Sequence, residues 1–406
     1  MTNETVSVAE ATGPLKGLRV IELGVLLAGP FCGQLLGDLG AEVIKVEPPG
    51  QPDPLREWGQ AKPGGKSLWF PVVGRNKKPV TLNLREPEGQ QILKELVAKS
   101  DILVENFRPG TMEKWGLGYD TLSKINLKLI MVRISGYGQT GPNAKKAGYA
   151  SVGEAFGGMR YVMGEPDRMP SRAGISLGDS LAATFGALGA LAALNHRHVT
   201  GRGQMVDSAI YEACLAMMES LVPEAGVAGY IRERTGSFLP RVAPSNIYPT
   251  SDGMMIIAAN QDTVWRRLAA AIGNPEMADD PRYADHESRG EHQEELDAHI
   301  SRWSVARTSE EVAAACEEHG VPCGPIYRGP EMLADAHYAA REAITRVANP
   351  DFGEIPMQNV FPKFSETPGN IRWTAPEMGA FNEEIYVSLL GRDERELDQL
   401  AKAGVI

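Results

Sequence analysis

The fold is decided by residues 17–50, which read GLRVIELGVLLAGPFCGQLLGDLGAEVIKVEPPG. Residues 17–23 and 41–47 are short apolar runs that predict two β-strands, and residues 31–40 between them predict a helix. A strand, a helix and a second strand in this order form the βαβ unit of a parallel sheet covered by helices. The turn after the first strand lacks the G-x-G-x-x-G pattern, so a dinucleotide-binding site is not supported here.

Three further segments predict strands of the same sheet, at residues 76–84, 101–105 and 128–134. Residues 86–100 predict a helix with its apolar side chains on one face. In an open α/β sheet the ligand crevice lies beyond the carboxyl ends of the strands. We therefore expect the loops after the first, second, fourth and fifth of these strands to face one shared region.

The pattern changes in the second half of the chain, where we predict a smaller domain over residues 225–330. A chain of 406 residues is long enough for two domains, since single cores rarely grow beyond about 250–300 residues. Just before this domain, residues 205–221 predict one long helix. Within and after it, residues 254–259 predict a strand, and helices are predicted at residues 264–272, 294–304, 309–319 and 381–390.

Composition excludes several classes of partner. The net charge is −11, from 41 basic and 52 acidic residues, which argues against general nucleic-acid binding but leaves room for a local basic site. The first residues contain no basic or apolar signal region, and the chain contains no uninterrupted apolar run of about 18 residues. We therefore expect neither a nucleic-acid nor a membrane partner.

The cysteines indicate a reducing compartment and no metal site. Cys32, Cys214, Cys316 and Cys323 are scattered without disulfide or metal spacing. His319 lies near two of them, but one histidine and two cysteines make a poor zinc site. We expect four reduced thiols in a cytoplasmic protein.

A single acid stands out in residues 174–180, which read GISLGDS and precede an Ala-, Gly- and Leu-rich run. If the segment before Asp179 is a strand, this acid lies where the strand passes into a helix. Unpaired N–H groups at the helix start would hold its carboxylate in the ionised form. The alternative is that Asp179 is only the N-cap of the helix.

Short motifs occur in order along nearly the whole chain. They are AGP at 28–30, GAEVIKVE at 40–47, NK at 76–77, VENF at 104–107, PG at 109–110, SGYG at 135–138, GP at 141–142, GDS at 178–180, HVTGRGQ at 198–204 and GVI at 404–406. Each motif is weak alone. The ordered set resembles the class III CoA-transferases, the group that includes formyl-CoA transferase and carnitine CoA-transferase.

The resemblance implies an α/β fold in which two chains form an interlocked dimer. Residues 1–224 would form a large Rossmann-like domain that binds coenzyme A, and residues 331–406 would return to complete it. Residues 225–330 would form the smaller α+β domain. The extended stretches at residues 232–249 and 349–376 suit a chain that wraps a partner, although simple surface loops explain them equally.

The resemblance also implies a covalent mechanism in which Asp179 is the nucleophile. Its carboxylate would attack an acyl-CoA to give a mixed anhydride and then an aspartyl-CoA thioester, from which coenzyme A passes to an acceptor acid. By position, the implied CoA-binding residues are Val25 and Leu26 in the first loop, Leu82, Asn106 and Phe107 on the adenine side, and Arg85, Lys114, Lys145 and Lys146 for the phosphates. Each of these cations could instead be a solvated surface charge.

Departures from formyl-CoA transferase predict a larger acyl group. That enzyme has glutamine where this chain has Leu27, and the residues matching its glycine-rich loop include Asn260 and Gln261. The proposed pocket wall is Trp58, Trp69, Tyr149 and Met163, of which the aromatic residues could equally be core residues. Candidates for binding a distal carboxylate, and hence for a succinyl-CoA donor and a dicarboxylic acceptor, are Arg75, Arg160 and Arg172, each of which could instead lie in a structural ion pair.

Two alternative functions remain at this point. An α-methylacyl-CoA racemase would need a histidine base in the run that here contains Tyr149, and the first of the seven histidines is His196. A phenol is a poor base at neutral pH. The other alternative is a CoA-binding subunit of a heteromeric transferase.

Overall fold

The predicted βαβ unit forms from strand β1 (Arg19–Glu22), helix α1 (Ala28–Asp38) and strand β2 (Glu42–Glu47). β1 and β2 pair in parallel, with Val20 opposite Val43. The computed structural model describes residues 10–374 and 376–406 of the chain.

The other elements follow in chain order. The strands are β3 (Lys77–Thr81), β4 (Ile102–Glu105), β5 (Ile130–Ser135), β6 (Met205–Ala209), β7 (Ser245–Pro249), β8 (Met254–Ala258), β9 (Cys323–Pro325), β10 (Ile344–Asn349) and β11 (Gly353–Gln358). The α-helices are α2 (Trp69–Val73), α3 (Pro87–Ala98), α4 (Thr111–Lys114), α5 (Tyr119–Ile125), α6 (Ala150–Phe156), α7 (Leu177–Thr200), α8 (Ile210–Leu215), α9 (Leu221–Ala228), α10 (Asp262–Ala271), α11 (His286–Glu291), α12 (Gln293–Ser304), α13 (Ser309–Glu318), α14 (Gly329–Ala334), α15 (Ala336–Ala340) and α16 (Glu394–Lys402). Short 3₁₀ helices lie at Pro54–Arg56, Pro63–Gly65 and Pro275–Ala278, and a π-helix at Glu384–Leu389 takes the place of the predicted last helix.

The chain divides into two compact units. One consists of the described residues up to Met159, of Ala173–Val222 and of Ala339–Ile406, and the other of Arg160–Arg172 and Pro223–Tyr338. The predicted domain boundaries, which assume an uninterrupted small domain, stay a prediction.

The first unit contains a six-stranded sheet with the order β3-β2-β1-β4-β5-β6, and every neighbouring pair is parallel. This is the strand order of a doubly wound α/β fold, so the predicted fold class is confirmed. The order reverses between β1 and β4, and the crevice of such a sheet opens there beyond the carboxyl ends of the strands.

The prediction of one long helix over residues 205–221 is wrong. Met205–Ala209 is the edge strand β6, which pairs with β5, and the helix α8 begins only at Ile210. An edge strand has a neighbour on one side alone, so its first three residues remain partly or fully exposed. It therefore lacks the continuous apolar run by which the inner strands are recognised.

Helices and the C-terminal segment bury one face of this sheet. Leu93 and Leu96 of α3 pack with Tyr386 and Leu400 against β-strand side chains such as Ile44. Burying a leucine or isoleucine side chain completely stabilises the fold by about 1.5–3 kcal/mol. The Tyr386 hydroxyl donates a hydrogen bond to the carbonyl of Thr81 at 2.7 Å, which ties the C-terminal segment to the end of β3.

The 24-residue helix α7 covers the other face through its small residues. A Cβ atom on Gly186 would lie 3.1 Å from Val132 Cγ1, so glycine allows the helix to approach β5 closely. The Ser208 hydroxyl of β6 donates to the carbonyl of Ala182 at 2.9 Å. By length and composition α7 could cross a membrane, and in this structure it packs on the sheet.

The second unit is built around an antiparallel sheet with the order β7-β8-β9. The strand and three helices predicted here are confirmed as β8, α10, α12 and α13. Its core contains Trp265, Tyr283 and Leu296, which are completely buried.

Candidate active site

The loop between β1 and α1 lies at the carboxyl edge of the sheet, and side chains from other elements hold its main chain. Asn106, which follows β4, accepts a hydrogen bond from Val25 N at 2.9 Å and donates one to Val25 O at 2.9 Å. Leu26 has a φ of 63°, a left-handed conformation that is uncommon outside glycine. The amide of Asn106 is therefore engaged by the loop itself.

A buried charge network supports this loop from below. The Lys45 ammonium lies 3.0 Å from Glu22 Oε1 and 2.9 Å from Asp53 Oδ2, and it donates to Gly24 O at 3.0 Å. Asp53 Oδ1 in turn accepts from Leu26 N at 3.2 Å. The Lys77 ammonium lies 2.6 Å from Glu22 Oε2. Charged groups this deeply buried require such partners, so the network fixes the loop to three neighbouring strands.

Burial and charge move the pKa values of this network in different directions. Burial alone would lower the pKa of Lys45, but Glu22, Asp53 and Glu47 raise it above its ordinary value. Burial alone would raise the pKa of Asp53, but Lys45 and the N–H donors of Leu55 and Leu26 lower it. Sequence reasoning missed this network, although the charged residues within the apolar strand segments indicated buried ion pairs.

Asp179 lies in the first turn of α7, at its third residue, and Ser176 occupies the N-cap position. Residues 174–176 do not form a strand, so Asp179 does not follow a strand directly, and the N-cap alternative is also wrong. α7 leads into β6, which is parallel to the other strands, so the N-terminus of α7 lies at the carboxyl edge of the sheet. Asp179 is therefore at the same edge as the β1–α1 loop.

Two acidic side chains lie close together at this helix start. Glu154 of α6 is 2% exposed, and its Oε1 accepts a hydrogen bond from Gly178 N at 3.1 Å. Burial raises the pKa of the Cys214 thiol to about 11, and the negative charges of Glu154 and Asp179 contribute smaller shifts in the same direction. Sequence reasoning missed Glu154; its only signal was a charge among small and apolar residues.

A cleft of about 410 Å³ lies beyond the ends of β4 and β5. Lys145 lines it together with Gly110, Gln139 and Arg133. Arg133 is neutralised by Glu105 and Glu113, each at 2.6 Å. Burial raises the pKa of Glu105 to about 6 despite the opposing effect of Arg133. The ion pairs of Arg133 leave Lys145 as a source of positive charge for an anionic ligand.

The other predicted CoA-binding residues are distributed along the same unit. Leu82 is buried, and Asn106 and Phe107 are half-buried, with the Phe107 ring 5.3 Å from that of Trp115. Exposed positive charges are found at Arg85, Lys114 and Lys146.

The predicted acyl-pocket residues fall into two groups. In the first unit, Trp58 and Trp69 have ring centroids 6.1 Å apart and remain partly exposed, Leu27 is half-buried, and Tyr149 is 65% exposed. The second unit contains Arg160, Arg172, Asn260 and Gln261. There the fully buried Arg289, another residue that sequence reasoning missed, donates to Asn260 O at 2.8 Å and to Asp262 at 2.6 Å.

Arg75 forms the structural ion pair that was the alternative to a substrate role. Its guanidinium contacts Asp38 with a shortest distance of 2.6 Å and donates to Gln358 O at 2.5 Å. The side chain is 3% exposed. These partners occupy the donors that a substrate carboxylate would need.

The sequence model of CoA-transferase family III matches residues 15–382, and the chain belongs to that family. It is an enzyme that transfers coenzyme A between an acyl-CoA and a carboxylic acid. The family and the activity predicted from the ordered motifs are thereby confirmed.

Two relatives and one solved structure are similar over nearly the whole chain. Succinyl-CoA–D-citramalate CoA-transferase of Chloroflexus aurantiacus is 57% identical, over 97% of this chain and 98% of that protein. The succinyl-CoA–L-malate CoA-transferase beta subunit of the same organism is 42% identical, over 97% of this chain and 98% of that protein. The crystal structure of a CAIB/BAIF family protein from Brucella suis is 32% identical with a TM-score of 0.82, over 93% of this chain and 100% of that one.

The charge of Asp53 should make the stability of the protein depend on pH. Asp53→Asn keeps an oxygen acceptor but removes the charge that faces Lys45, and we expect it to lower the free energy of unfolding at neutral pH by about 3 kcal/mol. Because the pKa of Asp53 is lowered on folding, its contribution is present above its ordinary pKa and is lost as the pH falls through the folded-state pKa. The difference between variant and wild type should therefore shrink, in urea titrations, as the pH falls below the ordinary pKa of an aspartate, about 3.9.

The matched control is Asp351→Asn, which removes an acid paired with the exposed Lys66 and should leave the urea midpoint nearly unchanged. A difference between Asp53→Asn and wild type that stays constant from neutral to acidic pH would contradict the assignment.

Proposed function

We propose that this chain transfers coenzyme A from succinyl-CoA to a hydroxylated dicarboxylic acid, with D-citramalate as the leading candidate. The support for this substrate pair is the 57% identity to a succinyl-CoA–D-citramalate CoA-transferase. The observation that carries the chemistry is the position of Asp179 in the first turn of α7, at the carboxyl edge of the sheet.

In the proposed reaction Asp179 is a temporary acyl and CoA carrier. Its carboxylate oxygen attacks the thioester carbonyl of succinyl-CoA, the C–S bond breaks, and a mixed anhydride and a CoA thiolate result. The thiolate attacks the aspartyl carbonyl, which releases succinate and leaves an aspartyl-CoA thioester. The acceptor carboxylate then displaces the thiolate to form a second anhydride. Thiolate attack on the acceptor carbonyl yields the new thioester and restores Asp179.

The start of α7 suits this nucleophile electrostatically. The helix dipole and the N–H groups of the first turn favour a negative charge at Asp179. The same groups can stabilise the oxyanions that form as each carbonyl is attacked. A carboxylate held ionised without strong solvation is the form that the first step needs.

For coenzyme A we propose a path along the carboxyl edge from the β1–α1 loop to the Lys145 cleft. Val25 and Leu26 would contact the pantetheine or adenine, and Leu82 and Phe107 the adenine side. Asn106 would act by holding the main chain of Val25, which its two hydrogen bonds support. The proposed phosphate partners, since coenzyme A is strongly anionic, are Arg85, Lys114, Lys145 and Lys146.

For the acyl group we propose a wall formed by Leu27, Trp58, Trp69 and Tyr149. Their partly exposed apolar surfaces support this assignment. Arg160, Arg172, Asn260 and Gln261 keep the substrate roles that the family resemblance implies. Arg75 is left out because Asp38 and Gln358 occupy its guanidinium.

We further propose a homodimer in the cytoplasm. α7 exposes two large apolar side chains, those of Leu188 and Val199, which are 59% and 82% exposed. Such a surface favours a protein partner, and a second copy of this chain is the simplest one. Assembly with a related chain is the alternative, supported by the 42% identity to a beta subunit. The four free thiols support the cytoplasmic location, because disulfides are rare in that compartment.

Replacing Asp179 tests the nucleophile directly. Asp179→Ala and Asp179→Asn should each lower transferase activity by about 10³-fold or more, because no carboxylate is left to carry the acyl group. Wild-type protein treated with succinyl-CoA and hydroxylamine should yield an aspartyl hydroxamate at position 179, read by peptide mass spectrometry. Full activity in either variant, or a hydroxamate at another acid, would refute the assignment.

Substrate competition tests the donor and acceptor. With succinyl-CoA as donor, we expect kcat/KM to be highest for D-citramalate or L-malate, and lower for glutarate and monocarboxylic acids, as measured by mass spectrometry of the CoA esters. A clear preference for acetyl-CoA or an aromatic acyl-CoA as donor would contradict this proposal while leaving the role of Asp179 intact.

A charge on the exposed face of α7 tests the assembly. Leu188→Glu should shift the purified chain from dimer to monomer in sedimentation measurements, since it replaces an exposed apolar side chain of α7 with a carboxylate. Leu127→Glu, at a 62% exposed leucine outside α7, is the matched control and should remain dimeric. A wild-type chain that is monomeric and inactive alone would favour the heteromer.

A further inference from the structure

The first turn of α7 receives a hydrogen bond acceptor from a different helix. The carboxylate of Glu154, on α6, takes the N–H of Gly178 at 3.1 Å, directly before Asp179 in the chain. N–H groups in the first helical turn lack acceptors within the helix, so a side chain from outside can satisfy one of them. The contact fixes the peptide group that leads into Asp179.

Gly178 makes this contact sterically feasible. A Cβ atom at this position would lie 3.0 Å from Glu154 Cγ, 3.1 Å from Ile210 Cγ2 and 3.3 Å from the carbonyl oxygen of Ala150. These distances are shorter than ordinary carbon contacts. A side chain at residue 178 would therefore displace Glu154 or the other two neighbours by a few tenths of an ångström.

The position of Glu154 is itself set by close backbone packing. α6 packs on α8 through two glycines: a Cβ on Gly153 would lie 2.5 Å from Ile210 Cγ2, and one on Gly157 would lie 2.5 Å from Tyr211 O. Glu154 lies between these glycines and is 2% exposed. A helix held this tightly presents its carboxylate in one place, which is what precise positioning of a neighbour requires.

A buried carboxylate is costly unless it contributes something that an apolar residue cannot. Here it lies at the positive end of a long helix, where its charge is favoured. The adjacent Asp179 must aim one oxygen at a thioester carbonyl, and a displacement of about 1 Å can reduce a rate by about 100-fold.

We propose that Glu154 is a positioning residue for the transfer reaction: by accepting the Gly178 N–H it sets the direction in which Asp179 projects. The inference rests on the proposed role of Asp179 as nucleophile. Glu154 acts through hydrogen-bond geometry, so a neutral oxygen acceptor of the same shape should replace it.

The test compares Glu154→Ala with Glu154→Gln in purified full-length protein, using succinyl-CoA and D-citramalate. Glu154→Ala should lower kcat by about 10- to 100-fold with little change in the KM for succinyl-CoA, and should slow hydroxamate formation at Asp179 in proportion. Glu154→Gln keeps an oxygen acceptor and should retain kcat within about threefold. Glu212→Gln, which removes an exposed acid from the adjoining helix α8, is the matched control and should behave as wild type.

Gly178→Ala provides an independent disturbance of the same contact. It should reproduce the loss of kcat at unchanged KM. If Glu154→Ala does not fold, the comparison of Gly178→Ala with Glu154→Gln tests the positioning role in its place. The proposal is overturned if Glu154→Ala retains wild-type kcat, if Glu154→Gln is as slow as Glu154→Ala or Gly178→Ala, or if Glu212→Gln shows the same loss. A hydroxamate outside position 179 would instead refute the proposed nucleophile, so the two failures are distinguishable.

Discussion

A carboxylate at the centre of the sheet, that of Glu22, is the constraint on which the carboxyl edge depends. It is completely buried and lies between the ammonium groups of Lys45 and Lys77. Each member of this triad comes from a different one of the three adjacent strands β1, β2 and β3. Because a buried charge without a partner is strongly destabilising, the three strands are held in one register, and Lys45 extends the network to Asp53.

The same triad also dictates a position on the helix above it. A Cβ atom on Gly33 of α1 would lie 2.1 Å from Glu22 Oε2, so only glycine fits there. α1 begins at Ala28, after the left-handed Leu26 and the N-cap residue Leu27. The buried charge of Glu22, the glycine at position 33 and the path of the β1–α1 loop therefore depend on one another. At the start of α7, the buried acid Glu154 likewise lies against a glycine, Gly178.

Local patterns were sufficient for the inner strands and insufficient for contacts between distant residues. The apolar runs that became β1, β2, β4 and β5 are visible in the sequence because both faces of an inner parallel strand are buried. Met205–Ala209 was missed because an edge strand does not need such a run. Asp179 was singled out from its motif and expected near a helix start, as the structure has it, but the strand expected before it is absent, since a short apolar segment before a helix does not distinguish strand from coil.

Side-chain partners that lie far apart in sequence explain the remaining differences. Arg75 pairs with Asp38, 37 residues away, and no local pattern separates such a pair from a substrate-binding arginine. Glu154 accepts a hydrogen bond from Gly178, which lies 24 residues further along the sequence. Such contacts follow from the packing of α6, α7 and α8, which only the three-dimensional structure provides.

The division of the first unit along the chain has a consequence for its synthesis. Asn83 N, two residues beyond β3, donates to the carbonyl of Val405 at 2.7 Å, so this N–H group finds its partner only when residue 405 has been made. Until then the apolar surface that Tyr386 and Leu400 cover stays open on the ribosome, while the whole Pro223–Tyr338 segment is translated in between. A nascent chain with such an unfinished core is exposed to aggregation, and its core closes only once residues 386–405 are available to pack.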